Sequence, residues 1–187
     1  MKAIRRAAAW ILAIILLCMP ALAEEVQEET GERSFPGVYG ETPEEIIVSA
    51  MEVYSWFTIC PLDVDPELAG GDGSVFRVAD ETLCNYNAVI RLLDFTFSEE
   101  IVEGLLAYDV YTIIDDTLYG TGGGRTIDPR ICEVNYEETY SDEERVVYTV
   151  TVHYLGEGEN AVEPDVLEFV RERIGGQWLF TQFPFFW

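Results

Sequence analysis

Residues Arg145 to Leu155 read RVVYTVTVHYL, the longest run of β-branched and aromatic residues in the chain, with no Gly, Pro, Asn or Asp inside it. Side chains alternate across a strand, so one face carries Val146, Tyr148, Val150, Val152 and Tyr154. The other face carries Val147, Thr149, Thr151 and His153. The first face is apolar enough to hold a core and the second is mixed. This pattern predicts a central strand of an antiparallel sheet, covered by helices on one face and partly wet on the other.

The flanking sequence supplies both the neighbouring strands and the cover. Ile131–Glu137, Asp165–Ile174 and Gln177–Phe183 read as strands, joined through the acidic turn Ser141–Glu144 and the glycine turns at 156–158 and 175–176. Upstream, Thr42, Pro43 and Glu45 make a capping box with proline at the first helical position. Ile46, Ala50, Val53, Tyr54 and Phe57 then recur at helical spacing until Pro61. A second helix begins at Asn85 or Asn87 and carries Val89, Leu92 and Leu93 inward; Ser98 starts a third with Ile101, Val102, Leu105 and Leu106. Between them, Leu62–Gly73 (LDVDPELAGGDG) reads as a turn-rich acidic loop and Ser74–Val78 as a short strand. Val110–Ile114 and Thr117–Tyr119 flank Asp115-Asp116, a two-residue hairpin connection. The expectation is one α+β domain, with three N-terminal helices packed on a curved antiparallel meander.

The chain is 187 residues long, and its first 23 have the form of an export signal. Lys2, Arg5 and Arg6 precede an apolar run from Ala7 to Met19, and Ala21-Leu22-Ala23 forms an A-x-A cleavage site. The run is short for a membrane span, which needs about 20 residues. Cys18 follows the bulky Leu17, where a lipoprotein signal wants a small residue. Cleavage after Ala23 leaves 164 residues, of which 24–41 read as a flexible acidic linker and 42–187 as the folded domain. It also removes three of the 11 basic residues and none of the 35 acidic ones, leaving 8 against 35, a net charge of −27. Such a surface repels nucleic acid and anionic lipid and steers toward cationic partners.

Catalytic constellations are scarce. His153 is the one histidine and lies in mid-strand. Cys60, Cys84 and Cys132 have no close metal-ligand spacing, and the Gly120–Arg125 loop (GTGGGR) lacks the Lys-Ser/Thr of a phosphate-binding loop. The three cysteines allow a Cys60–Cys84 bridge or three free thiols. Asp63 and Asp65 resemble the start of a calcium loop, but Leu68 stands where an EF-hand needs glycine; a looser site using Asp63, Asp65 and Asp72 stays open. The chain is therefore short of catalytic parts and calls for no cofactor, while a hydrolase built on two carboxylates stays open. The closing Phe183-Pro184-Phe185-Phe186-Trp187 is apolar to the last residue, either docked into the core or exposed as a patch.

Several pieces taken together resemble the IseA-type DL-endopeptidase inhibitor domain of Gram-positive bacteria. They are Tyr54-x-Trp56-Phe57, Phe76-Arg77-Val78, the run Phe97–Leu106 (FSEEIVEGLL), Leu118-Tyr119 before Gly123-Gly124-Arg125, and Gly176–Phe183 (GQWLFTQF). The similarity spans Thr42 to about Phe183. It implies a secreted non-enzyme, an inhibitor that binds the catalytic domains of peptidoglycan-cleaving cysteine endopeptidases and restrains wall lysis; the chain's acidity suits a basic, wall-associated target, and a monomer is expected. The acidic residues expected to reach a cleft are Asp63, Asp65 and Asp72 in one loop, and Asp115 and Asp116 at the hairpin tip. The competing reading is a cone-shaped, nuclear-transport-factor-like domain, whose aromatic pocket with an inward Asp or His would bind a small apolar ligand.

Overall fold

The computed structural model describes residues 40–124, 128–156 and 162–186. The expected signal segment, nearly all of the expected acidic linker, residues 125–127 and 157–161, and Trp187 lie outside them. Among the described residues, eight strands and three helices build an α+β fold. In chain order these are α1 (Pro43–Ser55), β1 (Val64–Gly70), β2 (Val75–Val78), α2 (Tyr86–Thr96), α3 (Glu99–Leu106), β3 (Thr112–Ile114), β4 (Thr117–Gly120), β5 (Ile131–Ser141), β6 (Arg145–Tyr154), β7 (Asp165–Ile174) and β8 (Gln177–Gln182). No described helix is long and apolar enough to cross a membrane.

The Arg145–Leu155 stretch does organise the larger sheet. β6 lies between β5 and β7 in the antiparallel meander β5-β6-β7-β8. Its predicted core face is inside: Tyr148, Val150 and Val152 are buried, Phe169 stands opposite Tyr148, and Val146 and Tyr154 pack at the margin. The other face is mixed, with Thr149 and His153 half-buried and Thr149 sharing a 3.2 Å hydroxyl contact with Thr139.

The helices cover the core face. At the start of α1 the Thr42 hydroxyl accepts from the Glu45 N–H at 3.2 Å, and the Glu45 carboxylate accepts from the Thr42 N–H at 3.1 Å. The capping box is therefore formed reciprocally. The Glu41 N–H, donating at 2.9 Å, and then the Thr42 N–H hold the Glu45 carboxyl below its ordinary pKa. Asn85, rather than Asn87, caps α2 by accepting from the Ala88 N–H at 3.2 Å. Ser98 heads α3 without a side-chain cap bond; its N–H donates instead to the Phe180 carbonyl at 2.9 Å, tying the α2–α3 corner to β8. The apolar C-terminus is docked. Phe183 sits 4.9–5.2 Å from the rings of Tyr54, Phe97, Phe169 and Phe180, and Phe186 reaches Phe169.

Three expectations are corrected. The helices are not all N-terminal to the strands, and the sheet is not single: β1, β2, β4 and β3 form a second four-stranded antiparallel sheet in that order. Much of the Leu62–Gly73 stretch expected as a loop is the strand β1. Pro66 misleads there, because it sits where the β1–β2 register shifts between Val64 and Ala69, on an edge strand that tolerates a missing N–H. Gly70 is required for close approach, since a Cβ there would lie 2.5 Å from the Tyr119 ring. Val78, Tyr111 and Leu118 of this smaller sheet and its approach share one core with Tyr148, Val150 and Phe180 of the larger one.

Candidate functional site

The Asp115-Asp116 tip has the geometry its sequence predicts. Both residues adopt left-handed backbone, with φ of 48° and 59°, and Ile114 pairs with Thr117 beneath them. Two consecutive positive φ values make the type I′ turn that suits a two-residue hairpin. The tip is anchored as well as tight. The Asp116 carbonyl accepts from the Tyr86 N–H at 2.9 Å, and the Leu118 N–H donates to the Cys84 carbonyl at 2.7 Å. The hairpin is thereby sewn to the start of α2, with both carboxylates exposed.

The other three predicted aspartates do not share one loop. Val64 pairs with Val78 and Gly70 with Val75, so Asp63 and Asp72 flank opposite ends of the β1–β2 hairpin. Asp65 lies within β1 itself. The β2–β4 register, with Arg77 opposite Tyr119, puts the Asp115-Asp116 tip at the Asp63 end of the sheet. Asp65 accepts from the Glu67 N–H at 2.9 Å and Asp72 from the Ser74 N–H at 3.0 Å, so both carboxylates serve their own turns. The Ser74 bonds hold the Asp72 carboxyl below its usual pKa. Among the described residues no group of three or more His, Cys, Asp or Glu is placed to hold a metal ion, which removes the geometric basis for a calcium site at 63, 65 and 72.

Beside the anchored tip lies a pocket of about 130 Å³. Its apolar walls are Phe57 from the turn after α1, Tyr86 and Val89 from α2, Leu106 at the end of α3, and Val110, Tyr111, Ile113 and Leu118 around the hairpin; Asp109 stands among them. The walls are stiff. The Tyr111 hydroxyl donates to the Trp56 carbonyl at 2.9 Å and accepts from the Leu62 N–H at 2.8 Å, while its ring meets Phe57 edge-on at 5.4 Å. Burial pushes the Tyr111 phenol up to about 12. Leu106 and Ile113 are 36% and 48% exposed, and Tyr108 in the adjoining turn is 61% exposed. Asp109 has φ of 53°, a conformation that turns the chain sharply from α3 toward β3. An apolar centre thus carries Asp109 in its wall, and the Asp115-Asp116 tip is tied by a backbone bond to the wall residue Tyr86, the anatomy of a protein-docking surface. No local sequence pattern announces it, because its walls come from residues 57 to 118 in six separate segments.

A second, open groove of about 650 Å³ lies where α2 meets α3 against the outer face of β7 and β8, with Asp94, Glu99, Glu100 and Glu172 around Ile174 and Leu179. Cationic groups are few. Arg130–Asp128, at 2.6 Å, is the one ion pair among the described residues, and its hydrogen bonds pull the Asp128 carboxyl down to about 2. The three thiols are free, so no Cys60–Cys84 bridge forms; Cys60 and Cys132 are exposed rather than buried. The Cys132 thiol donates to the His153 carbonyl at 3.4 Å, a backbone contact and not a nucleophile–base pair. No protein-family model matches the sequence and no curated protein matches it either, so the family resemblance rests on the motifs quoted above.

Proposed function

We propose that this chain is an exported acidic inhibitor of peptidoglycan DL-endopeptidases, acting as a monomer that blocks the cleft of a basic, wall-associated enzyme without a cofactor. The observation that carries the reading is the Asp115-Asp116 tip, rigidly anchored next to an apolar pocket. A preorganised projection loses little conformational entropy on docking, which is how small inhibitors convert a modest contact into tight binding. The charge adds a second support. With 8 basic residues against 35 acidic after export, the protein is drawn to a basic enzyme by long-range attraction that salt weakens. The enzyme class comes from the resemblance. A helix-filled sheet face supports the inhibitor over the competing cone-domain reading, and the inner face of β5–β8 is filled by Tyr148, Val150, Phe169, Phe180, Phe183 and the helices; the aromatic pocket with Asp109 is the feature the cone-domain reading would use.

The test is a turbidity assay of cell walls digested by a purified DL-endopeptidase, with the chain from residue 24 onward added in increasing amounts. That chain keeps all the described residues, which begin at Gly40. Dose-dependent slowing of wall clearance that weakens with salt is the expected result. Unslowed clearance by several such endopeptidases at micromolar excess of the chain would refute it.

A further inference from the structure

We infer that the pocket between α3 and the β3–β4 hairpin is an anchor site for one aromatic or branched aliphatic side chain of the partner, with flanking lysine or arginine residues lying against Asp109, Asp115 and Asp116. The inference rests on the inhibitor reading for the partner being a basic protein, and on the pocket itself for the chemistry. At about 130 Å³ the pocket is close to the roughly 150 Å³ of an apolar cavity that takes up benzene. It is well under the roughly 300 Å³ at which sites for free organic ligands and cofactors begin. A single side chain fills it; a cofactor does not.

The walls suit that occupant. Phe57 and Tyr111 are fixed edge to face, and Tyr111 is locked by hydrogen bonds at both sides of its hydroxyl, so the site is formed before anything enters. Leu106 and Ile113 stay exposed at the margin, apolar surface left for a partner to cover. Charge complementarity fixes what surrounds the anchor. Asp109, Asp115 and Asp116 form no ion pair among the described residues. The chain's own linker cannot serve as the occupant, because Glu24–Gly40 carries five glutamates and a single arginine. The occupant must be cationic on either side of an apolar residue, and must come from another molecule.

The probe is a pair of peptides, acetyl-Lys-Lys-Phe-Lys-Lys-amide and its counterpart with alanine in place of phenylalanine, titrated into the ¹⁵N-labelled chain from residue 24 while amide shifts are followed. The phenylalanine peptide should move the amides of Tyr86, Leu106, Val110 and Ile113. It should bind about tenfold more tightly than the alanine peptide, the ratio expected for covering one phenyl ring. High salt should weaken both peptides while preserving that ratio. Val110→Phe, which fills the pocket, and Ile113→Ser, which removes an exposed wall, should each erase the discrimination. Equal binding of the two peptides, or shifts that map away from the pocket, would overturn the inference. No enzyme takes part, so the two claims fail separately. Discrimination without wall-assay inhibition would sustain the pocket and overturn the target class; inhibition without discrimination would do the reverse.

Discussion

Replacing Tyr111 by phenylalanine tests the hinge on which the pocket and the smaller sheet depend. The ring keeps its place against Phe57, so no cavity opens and no apolar contact is lost. What disappears is one oxygen that satisfies the Leu62 N–H and the Trp56 carbonyl at once. Both groups belong to the turn that carries the chain from α1 into β1, and Leu62 and Tyr111 are each only 9% exposed. A buried polar group left without a partner costs about 1–3 kcal/mol. Partial access of water through the pocket mouth trims the sum of the two, giving an expected loss of about 2 kcal/mol. In urea this appears as a lower midpoint with an unchanged slope, and thermally as a fall of about 4–8 °C for a domain of this size. Tyr86→Phe is the matched control: a half-buried tyrosine of the same pocket whose hydroxyl makes no hydrogen bond among the described residues, expected to change stability by less than about 0.5 kcal/mol. If Tyr111→Phe is as mild as Tyr86→Phe, the bridging role assigned to the hydroxyl is wrong.

Phe183→Ala removes the ring that four other aromatic side chains surround, and should cost about 3–5 kcal/mol in the same denaturation experiment; a loss near zero would mean that the C-terminal segment is not docked in solution. The raised Tyr111 pKa gives a pH dependence whose sign is fixed. The folded phenol titrates at about 12 and the unfolded one near 10, so this contribution is complete below pH 10 and is lost as the pH rises toward 12. Unfolding midpoints measured across that window should fall for the wild type and fall less for Tyr111→Phe. Thiol titration of the native chain from residue 24 should find three reactive groups, with Cys60 and Cys132 modified faster than Cys84; a count of one would reveal a bridge.

The parts of this fold that depend on neighbours in sequence were legible in it. Alternation from Val146 to Tyr154 gave the central strand and its buried face, Thr42 and Glu45 gave a helix start down to the reciprocal bonds, and Asp115-Asp116 gave the tight turn. Three strands of the smaller sheet are legible as well, at 74–78, 110–114 and 117–119; what stays hidden is β1, which carries Pro66 across a register shift, and with it the joining of all four into one sheet. The aspartates were read as one acidic loop for the same reason: only the register of β1 on β2 shows that Asp63 and Asp72 stand at opposite ends. The pocket could not be read at all. Phe57, Tyr86, Leu106 and Ile113 meet only after α1, α2, α3 and the hairpin have packed, and each alone looks like an ordinary core or surface residue.

The most direct test of the central claim compares the wild-type chain with an Asp115→Asn/Asp116→Asn variant in the wall-digestion assay, at low and at high salt. Asparagine tolerates left-handed backbone, so the variant keeps the turn and loses only its charge. The account predicts that wild type slows the endopeptidase in a dose-dependent and salt-sensitive way, and that the variant does so more weakly, with the gap closing as salt rises. Digestion that proceeds unchanged with either protein would contradict it.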